Sequence, residues 1–117
     1  MNNSKYIKEI TKKLETINPY LIILFGSYAY GTANEDSDID ILVVTNDNFI
    51  PKDFDDRLKY RLSIKRIIRE TAKKVPIDLL IYSKPMFKKF IELDSSFSKE
   101  ILTNGKKLYE SNNTRLA

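Results

Sequence analysis

Six apolar residues in a row, Tyr20-Leu-Ile-Ile-Leu-Phe25, halted by Gly26-Ser27, constrain this chain more than any other stretch of it. A short, continuous apolar run rich in branched residues is the pattern of a β-strand buried on both faces, not of one washed by solvent on one side. It is also far shorter than the roughly 20 residues that a membrane-spanning helix requires. The chain is therefore expected to build an interior sheet strand here, and the glycine that stops it is expected to begin a turn.

Around that strand the periodicity changes. Ile7, Ile10, Leu14 and Ile17 recur at helical spacing, with Ser4 placed to cap the helix and Asn18-Pro19 placed to stop it. A polar, glycine-bearing stretch, 27–37, separates the first strand from a second over Asp38–Val44, whose opening residues are acidic and whose remainder is apolar. Asp53 is set to cap a long helix from Phe54 to about Lys74, closed before Pro76. Pro76–Tyr82 reads as a third strand, Pro85 to about Asn104 as one or two helices, and Lys107–Tyr109 as a final edge strand. The order helix, strand, strand, helix, strand, helix predicts an α+β (α/β) fold in which helices pack on a small mixed sheet. With 117 residues there is room for one domain over 1–117 and none for a second acceptor-binding domain of ordinary size.

Composition narrows the chemistry. The chain has no cysteine and no histidine, which excludes disulfide scaffolds, zinc ribbons, cysteine nucleophiles and imidazole bases. A metal must be held by oxygen ligands, for which a hard cation such as Mg²⁺ is the match, and a catalytic base must be a carboxylate, lysine or tyrosine. The start, Met1-Asn-Asn-Ser-Lys, runs into a charged helical pattern without the apolar core of a signal peptide, so a cytoplasmic address is expected. A net charge of +4 favours anionic partners without choosing among them.

Three acids stand where apolar residues would be expected. Asp38 and Asp40 sit two apart at the start of a strand, so their side chains share one face about 6–7 Å apart. Two like charges beside an apolar sheet are unfavourable unless cations neutralise them, and two divalent ions about 3.5–4 Å apart would do so. Asp78 interrupts the otherwise apolar Ile77-Asp-Leu-Leu-Ile81, and pairing of the third strand beside the second would bring it to the same cluster as a ligand, a general base, or both. Upstream, Gly26-Ser27 ends a strand where backbone N–H groups point outward, a place for phosphate that the Ser27 hydroxyl would complete. Ser37 lies next to the acidic pair and Gly31 supplies a turn between the two segments. On the long helix, Arg57, Arg61, Lys65 and Arg69 form an i, i+4 stripe flanked by Leu58 and Leu62 on one side and Tyr60, Ile64 and Ile68 on the other. Basic residues so flanked are expected to face an anionic ligand or a partner, with Arg61 and Lys65 nearest a triphosphate. The competing reading is that their stems cover the sheet margin while their charges reach water.

The segment from Leu24 to Leu42, Leu-Phe-Gly-Ser-Tyr-Ala-Tyr-Gly-Thr-Ala-Asn-Glu-Asp-Ser-Asp-Ile-Asp-Ile-Leu, followed by Pro76-Ile-Asp-Leu79, resembles the minimal nucleotidyltransferases of the DNA polymerase β superfamily. The resemblance rests on a Gly-Ser pair, a ten-residue spacer, an Asp-x-Asp pair and a distant third Asp. It implies that Gly26 and Ser27 hold the triphosphate of ATP or another nucleoside triphosphate, with Ser37 a further candidate for nucleotide binding beside the acids. It further implies that Asp38, Asp40 and Asp78 bind two Mg²⁺ ions and carry catalysis. Many relatives have arginine before the second glycine of the loop; here that residue is Tyr30. Small members of this family are often encoded beside a helical HEPN-type protein, and some transfer AMP to a tyrosine of that toxin partner. A chain without an acceptor domain must in any case take its acceptor site from another chain or from a second copy of itself.

Two functions of different classes follow. One is an Mg²⁺-dependent enzyme moving a nucleotidyl group, AMP from ATP in the first instance, to an acceptor such as a toxin tyrosine, which would make the protein an antitoxin. The other is a non-catalytic regulatory subunit that uses the same fold to grip a helical partner. RNA binding through the basic helix rests on charge alone and ranks last.

Overall fold

The computed structural model describes residues 4–111. The elements run α1 (Ser4–Glu15), β1 (Leu21–Phe25), α2 (Ser27–Tyr30), β2 (Ile39–Val44), α3 (Phe54–Lys65), a 3₁₀ turn (Arg66–Ile68), α4 (Arg69–Ala72), β3 (Ile77–Tyr82), α5 (Lys84–Glu92), α6 (Ser96–Asn104) and β4 (Lys106–Glu110). The four strands form one sheet in the order β3-β2-β1-β4. β1 pairs antiparallel with β2 and with β4, whereas β2 and β3 run parallel, so the sheet is mixed as expected.

β1 is buried along its whole length, and β2 at every position but Asp40, because each lies between two other strands and under helices on both faces. Period-two alternation divides their side chains between two cores. Ile22, Leu24, Ile39, Ile41 and Val43 point to the face covered by Ile10 and Leu14 of α1 and by Ile68. Leu21, Ile23, Phe25, Leu42 and Val44 point to the face covered by Phe87 of α5 and Ile101 of α6.

The single helix expected over 54–74 is broken. After Lys65 the chain tightens into the 3₁₀ turn, Ile68 adopts φ −105°, ψ 14°, and α4 sets off afresh. The break turns Ile68 and Thr71 into the interior, where both are buried. The Thr71 hydroxyl donates to Glu9 and accepts from Lys13 Nζ at 3.2 Å, so α4 is tied to α1 rather than prolonging α3. Tertiary pinning has overridden a locally uninterrupted helical pattern.

The loop after β2 is held by a polar latch. Tyr60 of α3 donates to both carboxylate oxygens of Asp47, at 3.2 and 3.1 Å, and shares a hydrogen with Thr45. Its ring stacks on Phe49 with centroids 4.1 Å apart, and Asp47 also accepts from the Phe49 N–H at 3.0 Å. Burial first, and Asp47 beside it, push the Tyr60 phenol up to about 12.

Candidate active site

β1 delivers the chain to Gly26, whose φ of +73° and ψ of −158° a residue with a side chain rarely adopts. A second constraint is steric. A Cβ built on Gly26 would lie 2.1 Å from Asp40 Oδ2, since Phe25 is the antiparallel partner of Asp40 and the turn passes directly over that carboxylate. The one-turn helix α2 follows at once, with the Ala29 and Tyr30 N–H groups bonded back to the Gly26 carbonyl at 3.0 and 3.2 Å. The N–H groups at the head of such a turn have no partner within it. Half-buried Ser27 stands at that head. Gly31, at φ +79°, ends the turn, and the Thr32 N–H returns to the Ser27 carbonyl at 3.0 Å.

The carboxylates come from the N-terminal ends of two parallel strands. Asp40 and Asp78 are register partners, and both lie on the sheet face that carries Leu42 and Leu80. Asp38 precedes β2 by one residue, and its charge is felt at Asp40. Asp40 is partly buried, while Asp38 and Asp78 are exposed. Burial holds the Asp40 carboxyl above the ordinary carboxylate range, and the charges of Asp78 and Asp38 raise it further. Among the described residues none donates a hydrogen bond to any of the three.

Several expectations need correction. Asp78 is not an acid sunk in a strand interior: β3 is an edge strand, and the residue faces outward on it. The three acids are electrostatic neighbours of one another through Asp40, yet among the described residues no group of three acidic side chains is gathered closely enough to hold a metal ion. Their kind and placement fit a hard cation, oxygen donors on adjacent strand ends with no competing hydrogen-bond donor; their side-chain positions would have to draw in to share one.

Ser37 takes a structural part, accepting the Asn34 N–H at 3.0 Å through its hydroxyl while its own N–H bonds the Asn34 carbonyl at 3.1 Å. Arg61 lies near Tyr82, at the far end of β3 from Asp78, where it and Arg57 bear on the tyrosine. Lys65 stands over Ile77 and Leu79, whose side chains alternate with Asp78 toward the opposite face. The fold therefore places the Gly26 turn, Asp38 and Asp78 each beside Asp40 without closing the three acids on one point, and leaves Arg61 and Lys65 off to the side.

One residue of the site's surroundings went unread in the sequence. Glu100 of α6 faces Tyr30 and holds its phenol above the ordinary range, with a smaller push from Asp40. The same helix brings Phe97 edge-on to Phe25, centroids 5.8 Å apart, so α6 forms one wall beside the Gly26 turn. No local signal in Ser96–Asn104 announces this; only the packing of α6 on β1 does.

A family described as Nucleotidyltransferase domain matches residues 4–109. The chain belongs to that family. It is a transferase of nucleotidyl groups, and its sheet of four strands with flanking helices is the family's fold. Two proteins of Methanocaldococcus jannaschii carrying the provisional name protein adenylyltransferase are similar along most of their length. One is 36% identical over 112 residues, covering 93% of this chain and all of that one. The other is 32% identical over 100 residues, covering 81% and 94%. Among solved structures, a nucleotidyltransferase from Sulfolobus solfataricus superposes with a TM-score of 0.58 at 20% identity, over 91% of this chain and 78% of that one. A toxin–antitoxin structure with AMP-PNP gives 0.53 at 24% identity, over 97% and 77%, and a mutant of the toxin–antitoxin MntA-HpeT gives 0.52 at 22%, over the same shares. These likenesses speak to the fold. No helix among the described residues is long and apolar enough to cross a membrane.

Proposed function

We propose that this nucleotidyltransferase moves an adenylyl group from ATP to a hydroxyl of a partner protein, a tyrosine of a helical HEPN-type toxin in the reading the resemblance implies. The observation that carries it is the register pairing of Asp40 with Asp78 beneath the Gly26 turn, which sets acids from two strands beside a backbone made for phosphate. The provisional names of the two M. jannaschii relatives and the toxin–antitoxin character of the similar structures support the same acceptor class.

In this reading the triphosphate lies at the head of α2 against Gly26 and Ser27, and Asp38, Asp40 and Asp78 are the residues that would hold Mg²⁺. Bound there, the cation would neutralise the charge that develops on the phosphates. The acceptor oxygen forms its bond to the α-phosphorus as the bond from that phosphorus to the bridging oxygen breaks, and pyrophosphate departs. Exposed Asp78, open to an approaching acceptor, takes the hydroxyl proton. Asp40 faces the phosphates from below the turn, close enough to Gly26 that any larger residue would displace it.

The reading is tested by incubating the protein with α-labelled ATP and Mg²⁺ in an extract of its host cells, beside Asp38→Asn/Asp40→Asn. A protease-sensitive labelled band made by the wild type alone is expected, and EDTA abolishes it. One observation favours a second reading, a non-catalytic subunit that grips its partner: the three acids do not converge. Absence of label with both proteins, together with partner neutralisation that survives loss of the acids, would establish that reading and dismiss the first.

A further inference from the structure

α3 is a helix without an interior. None of its twelve residues is buried, although Tyr60 and Ile64 lean on the core below. At about 100° per residue, Phe54, Arg57, Leu58, Arg61, Leu62 and Lys65 fall on one flank of the helix, and Leu62 and Lys65 of that flank stand beside Ile77 and Leu79 of β3. Phe54 is 77% exposed and Leu62 50%. An isolated exposed leucine means little, but apolar side chains in series along one flank mark a surface that is covered at some stage.

The charge of this flank is equally unbalanced. From Arg57 to Arg69 there are six cations and no acid. Lys59, on the far side of the helix, is paired with Asp55 at 3.6 Å, and downstream Lys73 is paired with Glu70 at 3.3 Å. Arg57, Arg61, Lys65, Arg66 and Arg69 have no ion pair with any described residue. Beside them lies a groove of about 450 Å³, walled by Leu62, floored by Ile77 and Leu79 of the edge strand, and rimmed by Lys65, Arg66 and Arg69.

We propose that this groove docks an acidic amphipathic helix of the acceptor protein. Its apolar side chains enter between Leu62 and Leu79, and its carboxylates meet Lys65, Arg66 and Arg69, which line the same groove. The inference rests on the protein-acceptor part of the reading above and gives that acceptor its chemistry. Charge complementarity selects an acidic occupant. The leucines select a polypeptide over a nucleic acid, whose phosphates would satisfy the cations and leave Leu58 and Leu62 wet. Asp78 sits between Ile77 and Leu79 with its side chain on the other face of the sheet, so the docked segment lies against the catalytic strand without covering its carboxylate.

The test uses the full-length protein and a fluorescein-labelled synthetic helix of about 20 residues, with leucines at i, i+4 and i+7 flanked on one side by glutamates. Binding is read by anisotropy, against a version of the peptide with glutamine for each glutamate. We expect dissociation constants on the order of 10 μM for the glutamate peptide and a loss of roughly tenfold or more for the glutamine peptide. Lys65→Glu/Arg69→Glu should lose the glutamate peptide and gain a lysine counterpart; Lys65→Gln/Arg69→Gln should weaken it without that gain. Asp38→Asn/Asp40→Asn should bind the glutamate peptide as the wild type does, so that failure of docking and failure of catalysis are read separately. Equal binding of the glutamate and glutamine peptides, or no effect of either double variant, overturns the proposal. So does displacement of the peptide by polyuridylate with a steep salt dependence, which would make the flank a nucleic-acid surface. Sedimentation of the protein as a dimer that Leu62→Ser returns to monomer would assign the groove to a second copy and overturn it as well.

Discussion

The two ends of β2 are built on opposite principles. At its C-terminal end polar groups are knitted together: Asp47 accepts from Tyr60 and from the Phe49 N–H, Ser83 donates to the Phe49 carbonyl at 2.6 Å, and the Phe49 ring closes over Tyr60. At its N-terminal end Asp40 sits partly buried beside the like charges of Asp78 and Asp38, and no described residue donates to the three. Both ends belong to one strand whose interior, Ile41–Val44, is fully buried. The contrast separates groups that stabilise the fold from groups held at a cost in stability, which on the proposed function a ligand would complete.

Asp40→Asn should have the largest effect and the opposite sign in the two assays. Nucleotidyl transfer should fall by on the order of 10²–10⁴, while the melting temperature of the ligand-free protein rises by about a degree or two at neutral pH. The sign follows from the raised carboxyl. A carboxyl held above its ordinary range favours the fold while protonated, and that contribution is gone once the pH has passed through the folded value. At neutral pH the native protein therefore carries a charge that burial first, and then Asp78 and Asp38, disfavour, and the asparagine variant does not. A variant less stable than wild type would break the contrast.

Gly26→Ala should cost about 2–4 kcal/mol in denaturant unfolding, combining a positive φ with a Cβ pressed into Asp40. In a double-mutant cycle with Asp40→Ala the steric part should be recovered and the backbone part should not. Tyr60→Phe should cost about 1–2 kcal/mol near neutral pH, since Asp47 loses a donor. It should also flatten the alkaline limb. A tyrosine pushed up to about 12 stabilises the fold fully below its ordinary value of 10.0, and that contribution is lost as pH climbs between the two. The smallest effect belongs to Gly31→Ala, about 1 kcal/mol, because φ is positive there but a Cβ would meet nothing within 4 Å. A larger loss at Gly31 than at Gly26 would mean that the turn, not the carboxylate beneath it, sets the requirement for glycine.

Much of this was readable along the chain. Tyr20–Phe25 announced β1 to within a residue, and Asn18-Pro19 ended α1. These signals are local, since strand period and turn chemistry act over a few residues. What stayed hidden depends on partners far along the chain. The exposure of Asp78 follows from β3 lying at an edge, and the break after Lys65 from the pinning of Thr71 to Glu9 and Lys13. The placement of Arg61 and Lys65 away from the acids depends on which face of the sheet α3 covers, and helical periodicity is silent on that point. The Asn34 turn claimed Ser37 through a hydrogen bond that a reading centred on the acids passed over.

Asp40 and Asp78 are side by side in space, yet the crossover joining them takes in the whole of α3, the 3₁₀ turn and α4. Parallel pairing closes only after that connection has ordered, so it ranks among the costlier contacts to form during folding. Nascent or partly unfolded molecules can possess the Gly26 turn and the Asp38–Asp40 pair and still lack the third acid. If Asp78 serves as proposed, enzymatic competence becomes a reporter of finished folding: a chain still on the ribosome, or one trimmed before β3, should modify nothing.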